Sequence, residues 1–182
     1  TEFNLPFIVK GGGDEYQRVD EIKATNMQLI IPVNFPKPYD LTDPFVSRYI
    51  TLAQLKHWEM APYNPYLLET KQIDFSFTTD GLKSKKEFLA NVKKAVKHGL
   101  SKEAALKALT ENPALFLKVN DLVGTLEVGK LANFIIVKGD LFEDGEIYEN
   151  WIQGHKHEIK ESNVADVRGE YEFKINDKSY AV

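Results

Sequence analysis

Three consecutive segments, 99-GLSKEAALKALTENPALFL-117, 124-GTLEVGKLANFIIVKGD-140 and 148-YENWIQGHKHEI-159, change character from one to the next. In the first, apolar residues recur at helical spacing, and Asn112-Pro113 is a start signal that splits the run into two short helices. In the second, glycines punctuate a run of β-branched and apolar residues, which reads as strand. Leu131 to Val137 is expected to be a buried strand. Tyr148 to Ile152 and Lys156 to Ile159 are expected to form a hairpin about Gly154. The order is helix pair, turn, Gly-Lys, strand, acidic loop, strand.

Upstream, Ser84 with Glu87 spells a capping box. Phe88, Leu89, Val92, Ala95 and Val96 form an apolar stripe, and Gly99 supplies the stop. Ile73 to Thr79 alternates as a strand that ends at Thr79-Asp80-Gly81. Residues 34–72 are irregular and rich in proline. Within them, Thr51 to Glu59 places Leu52, Leu55 and Trp58 on one helical face, and Asn64-Pro65 starts a further helix to about Thr70. Such a long excursion between strands is often functional. Leu5 to Val9 reads as a buried strand, the segment to Ala24 as a helix and Met27 to Val33 as a second strand. Together these make the βαβ unit of a parallel sheet. Downstream, Tyr171 to Ile175 is a last strand with a turn at Asn176-Asp177.

The 182 residues suffice for one domain or a domain with an appendage, and 43% are apolar, enough for a core. A formal charge of −4 gives no footprint for nucleic acid or an anionic membrane. No apolar run reaches the ~18 residues of a membrane span. The chain has no cysteine, which excludes disulfides and thiolate metal sites and leaves cytoplasm and periplasm both open. Thr1 opens almost inside a strand, so an N-terminal part is expected to precede it.

Several residues carry possible chemistry. Asp80 ends a buried parallel strand, where α/β folds place their ligands. It could bind a divalent metal or take a proton from metal-bound water, or it could cap the turn; spacing alone favours the cap. Gly11-Gly12-Gly13 has the position of a phosphate cradle, but Asp14 and Glu15 would repel a phosphate, and the GxGxxG spacing is absent. His155 and His157 share one strand face, as two ligands of one metal would. They lie in a polar hairpin with no third ligand nearby, so they read as two solvated histidines. His98 fits a helix C-terminal dipole partner. Lys85-Lys86 and Lys93-Lys94 read as a solvated helix face.

Taken together, the three opening segments resemble the C-terminal signature of the amidohydrolase superfamily. The family pattern runs G-L-[ST]-x-E-x-A-L-x-x-x-T-x-N-P-A, then G-x-[IL]-x-x-G-K-x-A-[DN] with an apolar run, then a strand ending Trp-x-x-Gly. Ala61-Pro62, Asn64-Pro65 and 75-FSFTTDGL-82 extend the match upstream, and the nearest flavour is imidazolonepropionase-like. The resemblance implies an α/β fold: the C-terminal portion of a (β/α)8 barrel, its last three strands, plus a small β-sandwich segment. Val9, Val33 and Thr79 would end barrel strands six, seven and eight. Residues 1–119 would be barrel, 120–165 a composite sandwich segment, and 166–182 the start of a further β segment or a tail.

The resemblance also makes Asp80 the strand-eight aspartate, both metal ligand and general base. The implied cofactor is a divalent metal, zinc, in the intact protein, with none expected in this chain alone. The family's own HxH belongs to a first strand that is absent here. The chain would then be part of a hydrolase of carbon–nitrogen bonds other than peptide bonds, inactive by itself. Its partner would be a small-molecule substrate, with Trp58, Tyr63 and Tyr66 of the excursion as contacts. An open barrel edge would favour self-association. Two other readings stay open: a non-catalytic α/β binding or assembly module, and a nucleotide-binding domain using the glycine triplet.

Overall fold

Three short parallel strands carry the first half of the molecule: β1 (Ile8–Lys10), β2 (Gln28–Pro32) and β3 (Phe75–Thr78), side by side in that order. The computed structural model of the chain describes residues 7–161, 172–175 and 178–181. Parallel neighbours need crossover connections, and the chain supplies helices for both. A single turn of 3₁₀ helix and α1 (Val19–Thr25) join β1 to β2. The excursion from β2 to β3 holds α2 (Pro44–Ser47), α3 (Leu52–Met60) and α4 (Asn64–Thr70). After β3 come α5 (Glu87–Lys97), α6 (Lys102–Leu109) and α7 (Glu111–Phe116).

Register and pleat decide what each face does. Val9, Leu29 and Phe75 are neighbours on one face, followed by Ile31 and Phe77. That face packs beneath the helices, against Leu68, Val92, Ala95, Leu100, Ala105 and Ala108. Ile31, Leu68 and Leu100 lie wholly or almost wholly inside, each such side chain contributing about 1.5–3 kcal/mol. Lys10, Ile30, Ser76 and Thr78 fall on the opposite face, away from the helices.

The second sheet is antiparallel: β4 (Phe134–Lys138), β5 (Glu146–Ile152) and β6 (His155–Glu158). Gln153 and Gly154 both take positive φ, as a two-residue hairpin turn demands. Phe134 stacks on Trp151 across the strands, with ring centroids 5.4 Å apart. A further antiparallel hairpin joins β7 (Glu172–Ile175) to β8 (Lys178–Ala181). The turn expected at Asn176-Asp177 and the expected strand start at Leu5 lie outside the described residues.

Three local expectations are corrected. The Ser84–Glu87 capping box does not form. Ser84 Oγ accepts from the Lys86 amide in a turn at 3.3 Å, and α5 begins only at Glu87 with no side-chain cap. A capping box forms instead at Thr51 with Gln54, starting α3. The segment around Leu131 to Val137 is not buried: β4 is an edge strand, and Ile135 and Ile136 are 41% and 44% exposed. β1 is likewise an edge rather than a buried strand, with Phe7 and Ile8 exposed. On α3, whose helical reading holds, Leu52 is 81% exposed and Leu55 partly buried.

Candidate functional site

The C-terminal ends of the parallel strands collect the polar chemistry of the first half. Lys10 ends β1 and Asp80 follows β3; β2 lies between them, and the Lys10 ammonium bonds the Asp80 carboxylate across it. Both side chains are 58% exposed. The turn that carries Asp80 is closed by the Leu82 amide donating to Thr79 O, and the Asp80 amide donates to Thr78 Oγ1 at 3.2 Å. Among the described residues the Asp80 carboxylate therefore caps neither this turn nor α5; its partner is Lys10. Gly81 takes a φ of +76°, and a Cβ there would meet Asn34 Nδ2 at 2.3 Å. The positive φ is what favours glycine in this turn.

The glycine triplet serves another purpose. Glu15 is 7% exposed and turns its carboxylate back over the loop. It accepts from the Gly13 amide at 3.0 Å and from Asn64 Nδ2 at 2.5 Å. A Cβ on Gly11 would meet Glu15 Oε1 at 1.9 Å. The carboxylate thus takes the place a phosphate would need, which argues against nucleotide binding here. Asn64 also accepts the Tyr16 amide at 2.7 Å, and the Tyr16 hydroxyl meets His57 Nδ1 at 3.1 Å. Burial pushes the Tyr16 phenol above its ordinary pKa, with the Asp14 charge adding to the effect and a hydrogen bond from Gln17 opposing it. This network fastens the excursion to the end of β1. In the sequence Glu15 reads as repelling a phosphate and Asn64 as a helix start; their pairing is not legible there, because they lie 49 positions apart.

Two of the aromatic candidates pack at the far end of α5. Tyr63 sits edge-on to His98, with ring centroids 4.8 Å apart, and Tyr66 packs over Gly99, where a Cβ would meet its ring at 3.1 Å. Both partners lie at the C-terminal end of α5. Trp58 on α3 is 37% exposed. His98 Nδ1 bonds Lys94 O at 2.7 Å, at the helix end expected for it. His155 and His157 lie on β6, all of whose residues are exposed, as befits solvated histidines. Among the described residues no three His, Asp or Glu side chains are grouped to hold a metal ion.

Residues 57–166 match the model of the amidohydrolase family. Among solved structures, an amidohydrolase from Thermotoga maritima MSB8 is 21% identical with a TM-score of 0.64, over 85% of this chain and 37% of that one. A Xaa-Pro dipeptidase with bound methionine in its active site is 19% identical with a TM-score of 0.57, over 83% and 39%. A prolidase complexed with N-methylphosphonate-L-proline is 13% identical with a TM-score of 0.58, over 83% and 40%. These likenesses carry the fold, a mixed α/β arrangement that spans only part of each relative. No curated protein matches the sequence. The family match, residues 57–166 of 182, takes in more than half of the sequence, and the chain belongs to the amidohydrolase family.

Proposed function

We propose that this chain supplies the general base, Asp80, to a hydrolase of carbon–nitrogen bonds other than peptide bonds, in cyclic amides or N-acyl compounds, of imidazolonepropionase-like character. The observation that carries the reading is a carboxylate standing free of any capping role at the C-terminal end of a parallel sheet, held there by Lys10. In that place it would accept a proton from the attacking water and return it to the leaving nitrogen. The chain covers 37–40% of the lengths of the neighbouring structures, so this activity is assigned to a longer protein. Residues 1–119 would contribute the last strands of its barrel, 120–165 a sandwich segment and 166–182 a further β segment.

Members of the family are generally metal-dependent. A catalytic zinc needs about three protein ligands. The described residues offer Asp80 alone, with an ammonium group against it, so by themselves they do not fit the metal. In our reading the remaining ligands belong to the rest of the intact protein, which would use a divalent ion, zinc, to activate water. Of the three aromatic candidates we keep Trp58 as a substrate contact; Tyr63 and Tyr66 are assigned to packing.

The 182-residue chain assayed with added Zn2+ against cyclic amides and N-acyl substrates is expected to show no turnover. Clear turnover would overturn the division of ligands. Metal analysis of the intact gene product separates the enzyme from a non-catalytic binding module, which would hold no stoichiometric metal.

A further inference from the structure

We propose that the cleft between the loops after β2 and β3 is an anion subsite. It takes the carboxylate or phosphate end of a small substrate whose apolar body lies on Phe35 and Leu82. The inference rests on the reading of Asp80 as the reacting end of the site.

The cleft has a volume of about 550 Å³, within the range of small-molecule sites. It lies outside the carboxyl ends of parallel strands, where α/β sheets bind their ligands. One wall is a face of α5 bearing Glu87 and Lys94, and the other two are the loops that leave β2 and β3. Asn91 Nδ2 on α5 donates to Val33 O at the end of β2 over 2.8 Å, which ties the helix wall to the sheet.

The charge of the lining runs against that of the molecule. The chain carries a formal −4, yet Lys37, Lys83 and Lys94 line this cleft against the single carboxylate of Glu87. Among the described residues none of these three lysines is paired with a carboxylate. Lys94 is also oriented: its ammonium sits over the Phe35 ring, 5.7 Å from the centroid. Three unpaired cations above an apolar floor suit an amphipathic anion better than water or a neutral ligand. Asp80 immediately precedes Gly81 of the lining, and its carboxylate, paired with Lys10, lies outside that lining.

The test is a titration of the 182-residue chain with sodium hexanoate at constant ionic strength, followed by two-dimensional amide NMR, with sodium chloride as control. Saturable shifts are expected at residues 34–38, 81–83 and 90–94. The double variant Lys83→Glu/Lys94→Glu, with unchanged melting temperature, should bind about tenfold more weakly. If that variant does not fold, Lys37→Ala replaces it, and a loss of about twofold or more is expected. Inorganic phosphate should shift the same amides with lower affinity. Shifts that do not saturate, that chloride reproduces, or that the lysine variants leave unchanged overturn the subsite. Phosphate binding as tightly as hexanoate overturns its apolar half. Asp80→Asn should leave hexanoate affinity within about twofold, since the residue lies outside the cationic lining. Hexanoate binding as described, with turnover of the intact protein indifferent to Asp80→Asn, would remove the role of Asp80 alone; the reverse pattern would remove the subsite alone.

Discussion

Asn112 shows how a residue type is legible while its partner is not. Before Pro113 it reads as a helix start signal, and α7 does begin there. Yet its side chain is buried and donates through Nδ2 to Phe75 O at 2.7 Å, latching α7 onto β3 from 37 positions away. Asn64 behaves likewise toward Glu15 and Tyr16. A short amide serves equally as a cap or as a long-range latch, and local spacing does not distinguish the two. The same limit hid the Lys10–Asp80 pair, whose members are 70 positions apart. Asn112→Ala would remove this buried hydrogen bond and should cost about 0.5–1.5 kcal/mol in urea unfolding. A loss below about 0.5 kcal/mol would mean that the latch is idle or replaced by water.

Element positions were readable wherever local chemistry and tertiary packing agree. Gly99, at a φ of +108°, ends α5, and Ser101 Oγ accepts the Ala104 amide at 3.1 Å to start α6. The Ile73–Thr79 strand and its Asp-Gly turn were visible because alternation and a turn signal coincide. Burial of β4 was misjudged because a continuous apolar run states what could be covered, not what covers it. The acidic loop before β5 was recognised only as acidic. In the structure Lys102 bridges Asp140 and Glu143, and Phe142 plugs into the core. The hydrogen bond from Lys102, helped by the Phe142 amide, holds the Asp140 carboxyl below its ordinary value of 3.8. A depressed carboxylate contributes stability that is complete above that ordinary value and is lost as pH falls through the lower, folded one. Asp140→Asn should therefore lower the melting temperature at about pH 6, and the difference should narrow at a second pH well below 3.8. An equal difference at both pH values would assign the effect to packing of the loop.

At the scale of the molecule, among the described residues the edge strands β1 and β4 bear exposed apolar side chains. Phe7 and Ile8 are exposed along β1, and Ile135 and Ile136 along β4. Unpaired edges with apolar side chains recruit partners. We therefore propose that the isolated chain self-associates, and light scattering should give a mass above 20.8 kDa that rises with concentration. A clean monomer would contradict this. The family was legible from three linked motifs, and the βαβ order from residue periodicity. The rest of the site was not, because a barrel gathers its ligands from several strand ends and this chain carries three of its strands in our reading. Membership does not itself establish what Asp80 does. Steady-state kinetics of the intact protein with Asp80→Asn tests that directly. With folding unchanged, kcat/KM should fall about 10²-fold or more, and activity within about twofold of wild type would contradict a general base at Asp80.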